Sequence, residues 1–212
     1  MGRSAAIVVA AGGGSRYGAR KQFAVLCGSR LVDRAVTVAG GACDDVVVVL
    51  PPGVDWDGVP VSAAVAGGAS RPESVRAGLR AVAPGCDVVV VHDAARPLAS
   101  PPLFAAVIDA IRDGADGAVP AIALTDTVKQ VEHDRVVATV ARDALVAVQT
   151  PQAFRADALR AAHAAGGDAT DDAALVEAAG GTVVVVPGDP SNLKVTTPAD
   201  LALAAALVRR PS

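Results

Sequence analysis

The sequence predicts an α/β protein with a three-layer, mostly parallel sheet, and three observations predict it. Short runs dominated by Val and Ile recur along the chain with helix-patterned stretches between them, the order that lays helices over a parallel sheet. The runs lack polar alternation, as strands covered on both faces do. The first run also enters a glycine-rich turn directly, at residues 12–14, where bare backbone can approach phosphate. A length of 212 residues suits one such domain, spanning residues 1–212, and can bury a sizeable core. Hydrophobic residues are 52% of the chain but aromatic ones only 2%, so that core has to be built from Ala, Val, Leu and Ile.

Strand-like runs fall at residues 5–10, 45–50, 61–66, 87–92, 117–122 and 182–187. Helical patterns fall at 31–39, 72–82, 101–112, 155–165, 171–179 and 198–208. Pro101, Pro102 and Pro198 stand in first-turn positions, where a missing N–H costs nothing. No repeat, low-complexity tract or linker interrupts the series. One segment departs from it. Residues 125–142 read as two short β runs around 132–134, with modest apolar content and many charges. That pattern predicts a hairpin that leaves the main sheet as an arm at about residues 124–143.

The net charge of −3 makes the chain as a whole no polyanion binder, so a nucleic-acid partner is not expected and any basic site must be local. No apolar run approaches the roughly 20 residues of a membrane span. Cys27, Cys43 and Cys86 are odd in number and far apart, with no CxxC pair. They read as reduced, buried thiols of a cytoplasmic protein. The chain has 16 arginines but only three lysines, Lys21, Lys129 and Lys194. Arg replaces Lys on most solvated surfaces, but not where a compact ammonium must meet a phosphate oxygen, so each retained lysine is a candidate for such a place.

Four clusters carry candidate chemistry. The first, AAGGGSRYGARKQF at 10–23, fails two phosphate-loop fingerprints. GxGxxG counted from Gly12 and Gly14 meets Tyr17 at its third glycine. GxxxxGK[ST] counted from Gly13 and Gly18 meets Ala19 and Arg20 instead of Lys and Ser/Thr. The loop brings its own cations instead, Arg16, Arg20 and Lys21, a composition suited to a triphosphate whose pyrophosphate must leave. The second, VVVVHDAARPL at 88–98, sets Asp93 and Arg96 at the carboxyl end of a buried strand. Open α/β sheets bind ligands there. Asp93 suits Mg2+ and Arg96 a phosphate. His92 reads as a packed residue, and three histidines in all argue against a histidine metal site. In the third, GGASRPESVRAGL at 67–79, two glycines precede a helix start with Arg71 and Ser74, so a flat ligand can lie against backbone. The fourth, DPSNLKVTTPADLALA at 189–204, places Lys194 just ahead of a helix.

Together with TDTVK at 125–129, QTPQAF at 149–154, TDDAALVE at 170–177 and NLKVTTPADL at 192–201, these clusters resemble the 2-C-methyl-D-erythritol 4-phosphate cytidylyltransferase family, in the family's order and over nearly the whole chain. The resemblance implies a Rossmann-like nucleotidyltransferase fold and a cytidylyl transfer from CTP to methylerythritol 4-phosphate, with Mg2+ and release of pyrophosphate. It implies that Arg16, Lys21 and Lys194 surround the reacting phosphates. It assigns Ala10, Ala11, Gly12, Gly13, Gly14, Gly67, Gly68, Ser74, Asp93 and Ala94 to CTP, with Asp93 also at the metal. Arg96, Thr127, Arg142, Thr150 and Thr170 are assigned to the sugar phosphate. Thr127 and Arg142 would serve the neighbouring subunit's site, which implies a homodimer joined through the arm. Two features depart from the family pattern: Arg20 stands where a Pro usually precedes the loop lysine, and the loop is shorter than in many members. A ribitol 5-phosphate cytidylyltransferase shares fold and loop and is the alternative. A non-catalytic nucleotide-binding relative would have lost Arg16, Lys21 or Lys194, and all three are present. No segment long enough for a fused cyclase domain is expected in this chain.

Overall fold

The computed structural model describes residues 2–13, 20–166 and 171–209. In chain order the strands and helices are β1 (Arg3–Val9), β2 (Val25–Leu26), β3 (Ser29–Arg30), α1 (Leu31–Ala42), β4 (Asp45–Leu50), β5 (Ala63–Ala66), α2 (Arg71–Ala81), β6 (Cys86–Asp93), α3 (Pro101–Arg112), β7 (Gly117–Ala123), β8 (Val128–Glu132), β9 (Arg135–Val140), β10 (Val146–Val148), β11 (Gln152–Arg155), α4 (Ala156–Ala165), α5 (Asp172–Ala178), β12 (Val183–Pro187) and α6 (Pro198–Val208). A single 3-10 turn, Lys21–Phe23, follows the glycine loop.

The main sheet runs β12-β7-β11-β6-β1-β4-β5, with β10 continuing along the same edge of β7 that β11 occupies. β1 pairs in parallel with both β4 and β6, β4 with β5, and β7 with β12. β10 and β11 are antiparallel. Patterning missed the short strands β2, β3, β10 and β11, of which β11 lies inside the main sheet. QAFR is four residues long and abuts α4, so it reads as a loop and a helix start, yet it pairs with β6 on one side and β7 on the other. The edge strands also differ from expectation. β5 and β12 are only half covered, because an edge strand lacks one neighbour and part of its helical cover.

Strand periodicity sends alternate side chains to opposite faces. Ala6 and Val8 of β1, Val48 of β4 and Val90 of β6 meet α1 and α3 in one core. Ala5 and Ile7 of β1, Val47 of β4 and Val91 of β6 meet α2, α4 and α5 in the other. Phe104 and Phe154, one in each core, are fully buried, and the remainder is aliphatic, as the composition requires. α2 comes so close to the sheet that a Cβ on Gly78 would lie 2.5 Å from Ile7 Cγ2. A small third cluster packs α6 on Leu26 and Leu31 through Val195 and Ala204.

Residues 128–140 form the expected hairpin as a separate two-stranded sheet, β8 with β9. His133 and Asp134 make its two-residue turn, both at positive φ (44° and 67°), the geometry that matches strand twist in tight hairpins. Val131, Val136 and Val137 stand exposed on it. One cysteine expectation is corrected. All three thiols are free; Cys43 and Cys86 are only partly buried, and Cys27 is exposed. It forms with Gly28 the two-residue turn between β2 and β3, a surface position. Among the described residues, no helix is long and apolar enough to cross a membrane.

Candidate functional site

The parallel strands β1, β5 and β6 deliver their carboxyl ends to one place. Ala10 N–H donates to Val49 O (2.8 Å), Gly67 N–H to Leu50 O (2.8 Å) and Ala94 N–H to Val9 O (3.1 Å), so sheet-like order persists past the strand ends. The two glycines before α2 are required by space. A Cβ on Gly67 would fall 2.4 Å from Ala11 Cβ, and one on Gly68 would fall 2.4 Å from Glu73 Cβ. α2 starts in a capping box between Ser70 and Glu73, which satisfies two orphan amides reciprocally. Ser74 is buried. Its Oγ accepts from Gly68 N–H (3.2 Å) and donates to Ser70 O (2.9 Å), so the hydroxyl holds the Gly67–Gly68 backbone in shape.

These pieces enclose a cleft of about 230 Å3 in which Ala10, Ala11, Gly12, Gly13, Gly68, Ser74, Asp93 and Ala94 meet Lys21 and Lys194. Gly67 lies behind it, against Ala11 and Ser74. Gln22, buried in the 3-10 turn, donates from Nε2 to Gly12 O (3.1 Å) and ties the glycine loop to the segment carrying Lys21. A second recess of about 200 Å3 adjoins the first, sharing Arg71, Asp93 and Lys194 with it and adding Arg96, Thr150 and Gln152. Arg96 is fixed there by Nη1 donating to Asn192 O (2.7 Å). Thr127 and Arg142 line neither recess. Both are exposed at the base of the arm, where Arg142 donates to Thr125 O. Gly14, Arg16 and Thr170 lie outside the described residues.

At the junction of the recesses begins a chain of paired polar side chains. Lys194 Nζ lies 2.5 Å from Asp93 Oδ2, and Arg71 Nε lies 3.4 Å from Asp93 Oδ1. Arg71 Nη1 lies 2.7 Å from Asp172 Oδ2, and His163 Nε2 lies 3.0 Å from Asp172 Oδ1. Burial alone would push the Asp93 carboxyl up, but Arg71 and Lys194 outweigh it and hold it well below the usual carboxylate range. Asp93 is therefore an anion throughout the physiological range. Sequence reasoning placed Asp93 and Lys194 here and noted Arg71, but it missed Asp172 and His163. The TDD motif pointed toward them, although Thr170 was the residue singled out.

Behind Asp93, the Thr150 hydroxyl accepts from the Asp93 N–H (3.0 Å) and pairs with His92 Nδ1 (3.1 Å). Desolvation lowers the His92 pKa to about 4, so it stays neutral, packed edge-on against Phe104 at 5.2 Å between ring centroids. A base whose folded pKa lies below its unfolded value of about 6.5 leaves the unfolded state binding more protons between those values, so stability falls as pH drops from about 6.5 to about 4. That interval corresponds to about 3 kcal/mol. His92→Gln is expected to flatten this part of the stability curve. Urea unfolding of both proteins at pH 7 and pH 4.5 checks it, and an equal loss in both sinks the assignment to His92.

Among the described residues no three His, Cys, Asp or Glu side chains group as a metal site. The donor chemistry nevertheless fits Mg2+, which takes one or two carboxylates and completes its shell with water and substrate phosphate. Asp93 supplies one permanently ionised carboxylate at the cleft wall.

A mostly parallel sheet that gathers glycine backbone, two lysines and a carboxylate at its strands' carboxyl ends is an arrangement suited to a nucleotidyltransferase. The comparison with known families is more specific. The model of IspD, 2-C-methyl-D-erythritol 4-phosphate cytidylyltransferase, matches residues 4–210, and the chain belongs to this family. The 2-C-methyl-D-erythritol 4-phosphate cytidylyltransferase of Streptomyces avermitilis is 47% identical over 98% of this chain and 92% of its own length. That of Frankia casuarinae is 47% identical over 98% of this chain and 82% of its own. The crystal structure of the Thermus thermophilus enzyme superposes with a TM-score of 0.85 at 36% identity, covering 96% of this chain and 98% of that one. The family's activity is CTP-dependent formation of 4-diphosphocytidyl-methylerythritol in isoprenoid biosynthesis, and this chain is a cytidylyltransferase.

Proposed function

We propose that the chain carries out this transfer with Arg16, Lys21 and Lys194 at the reacting phosphates, CTP in the glycine-lined cleft and the sugar phosphate in the recess beside Arg96. One observation carries the reading: Asp93 and Lys194 line both recesses, so a phosphate from each side would meet at the same pair of side chains. The attacking atom is a phosphate oxygen already carrying charge, so no general base is required. Catalysis is in-line positioning plus neutralisation of charge that builds on the leaving pyrophosphate. Lys194 and Lys21 supply compact ammonium groups for that charge. Asp93 would hold Mg2+, which when bound adds charge neutralisation at the phosphates. Ala10, Ala11 and Gly68 offer backbone to the cytosine, and Ser74 sets that backbone's shape. Thr127 and Arg142, standing on an exposed arm outside both recesses, support a homodimer in which each arm completes the neighbour's sugar-phosphate site. The reading takes residues 1–212 as one domain and places the dimer in the cytoplasm, without a nucleic-acid or membrane partner.

The test is pyrophosphate release from CTP or UTP with methylerythritol 4-phosphate or ribitol 5-phosphate. Carbonyls facing the cytosine amine would be left unpaired by uracil, which costs about 1–3 kcal/mol per buried group, or roughly 5- to 150-fold in kcat/KM. Comparable kcat/KM for UTP removes the base reading. Preference for ribitol 5-phosphate replaces the proposed acceptor.

A further inference from the structure

The chain of paired side chains at the cleft continues behind its wall, and its far end is the most deeply buried part. The Asp172 side chain is 1% exposed, in the first turn of α5, and the His163 side chain beside it is 2% exposed on α4. Both lie behind the cleft wall and line neither recess. Burying a carboxylate is costly unless it is paired. Asp172 is paired on both oxygens, by Arg71 at 2.7 Å and by His163 at 3.0 Å.

Asp93 thus has two cationic partners that differ in freedom. Lys194 is close, at 2.5 Å, but its side chain is 41% exposed at the cleft mouth and carries one flexible ammonium. Arg71 is 26% exposed, sits more loosely on Asp93 at 3.4 Å, and has its other end held at 2.7 Å by Asp172. A triphosphate arriving in the cleft competes with Asp93 for both cations. If both turned to the phosphates, the part-buried Asp93 carboxylate would lose both of its protein cations and depend on Mg2+ alone. Holding one of them back prevents this.

We infer that Asp172 is a positioning residue for the transfer: by anchoring Arg71 it keeps one cation on Asp93 while Lys194 turns from Asp93 to the phosphates. The inference rests on the proposed placement of the triphosphate in this cleft. Asp172 touches no substrate and acts only through Arg71. His163 donates from Nε2 to the second carboxylate oxygen and holds the anchor from the side of α4.

The experiment compares wild type, Asp172→Asn, Asp172→Glu and the double variant Arg71→Gln/Asp172→Asn, reading kcat by pyrophosphate release and CTP affinity by calorimetry without acceptor. Misplacing a reacting group by about 1 Å can cost on the order of a hundredfold, so kcat of Asp172→Asn is expected to fall roughly 10- to 100-fold. Its CTP affinity is expected to hold or tighten, because the released Arg71 can join the phosphates. Asp172→Glu should regain part of kcat. The double variant removes both charges, which leaves no unpaired buried ion, and should show the same low kcat without the tightening. Wild-type turnover run alongside establishes the transfer itself, so an absence of effect in the variants counts against the anchor alone. Wild-type kcat in the folded double variant overturns the inference. A parallel fall of kcat and CTP affinity in Asp172→Asn overturns it too, since that is the mark of a merely structural role.

Discussion

Lys21→Ala and Lys194→Ala are each expected to lower kcat about 10²- to 10³-fold, the usual cost of losing one preorganised contact to developing charge. Both lysines line the cleft, and Lys194 also lines the recess beside Arg96. Lys194→Ala removes the closer of the two cations on Asp93 as well. Lys129 is the internal control. It lies on β8 of the exposed arm, donating to Thr139 Oγ1 at 2.6 Å, and Lys129→Ala should stay within a few-fold of wild type. Lys21→Arg should also be slow, because a planar guanidinium has a different shape and reach from an ammonium. Steady-state kinetics with saturating CTP and methylerythritol 4-phosphate separates the outcomes. Near-normal turnover in Lys21→Arg would show that charge alone suffices at this position.

Mixing two inactive proteins should restore activity if the arm serves the neighbouring site. An arginine such as Arg142 suits a sugar phosphate, since its planar fork can pair with two phosphate oxygens. Yet it sits at the base of the arm, exposed, and lines neither recess of its own chain. Arg142→Ala should raise KM for methylerythritol 4-phosphate far more than KM for CTP. In a mixed dimer of Lys21→Ala with Arg142→Ala, one site carries both lesions and the other carries neither. Activity should then approach half the wild-type value per mixed dimer. Subunit exchange confirmed by mass with no return of activity would place Arg142 in its own subunit's chemistry and remove the shared site.

The parts of the site that were legible from sequence are those whose constraint is local. Gly68 announces itself because Glu73, in the next turn of chain, leaves no room for a Cβ, and SxxE after it spells the capping box of α2. Asp93 and Arg96 could be placed because a buried parallel strand reads as an unbroken apolar run that ends at its ligand-facing end. The arm was legible because its two runs carry too many charges to join a buried sheet. What sequence reasoning passed over depends on partners far away along the chain. The residues of Arg71–Asp172 stand 101 positions apart, and nothing in TDDAALVE says that its second Asp faces an arginine rather than solvent. The Thr150 hydroxyl, assigned to the sugar phosphate from resemblance, is occupied by the Asp93 N–H and His92, an arrangement made by two strands meeting side by side.

The order of elements, the aliphatic core, the glycine turns and the identity of the scarce lysines follow from the chain alone, because periodicity, backbone sterics and side-chain chemistry act within a few residues. The insertion of β11 between β6 and β7, the exposure of the edge strands, and the pairing of Asp93 with Lys194 and Arg71 belong to the folded molecule. They are set by which surfaces are brought together and by how much water is removed from between them. Desolvation is what turns three ordinary charged residues, distant in sequence, into one coupled group at the carboxyl ends of the strands.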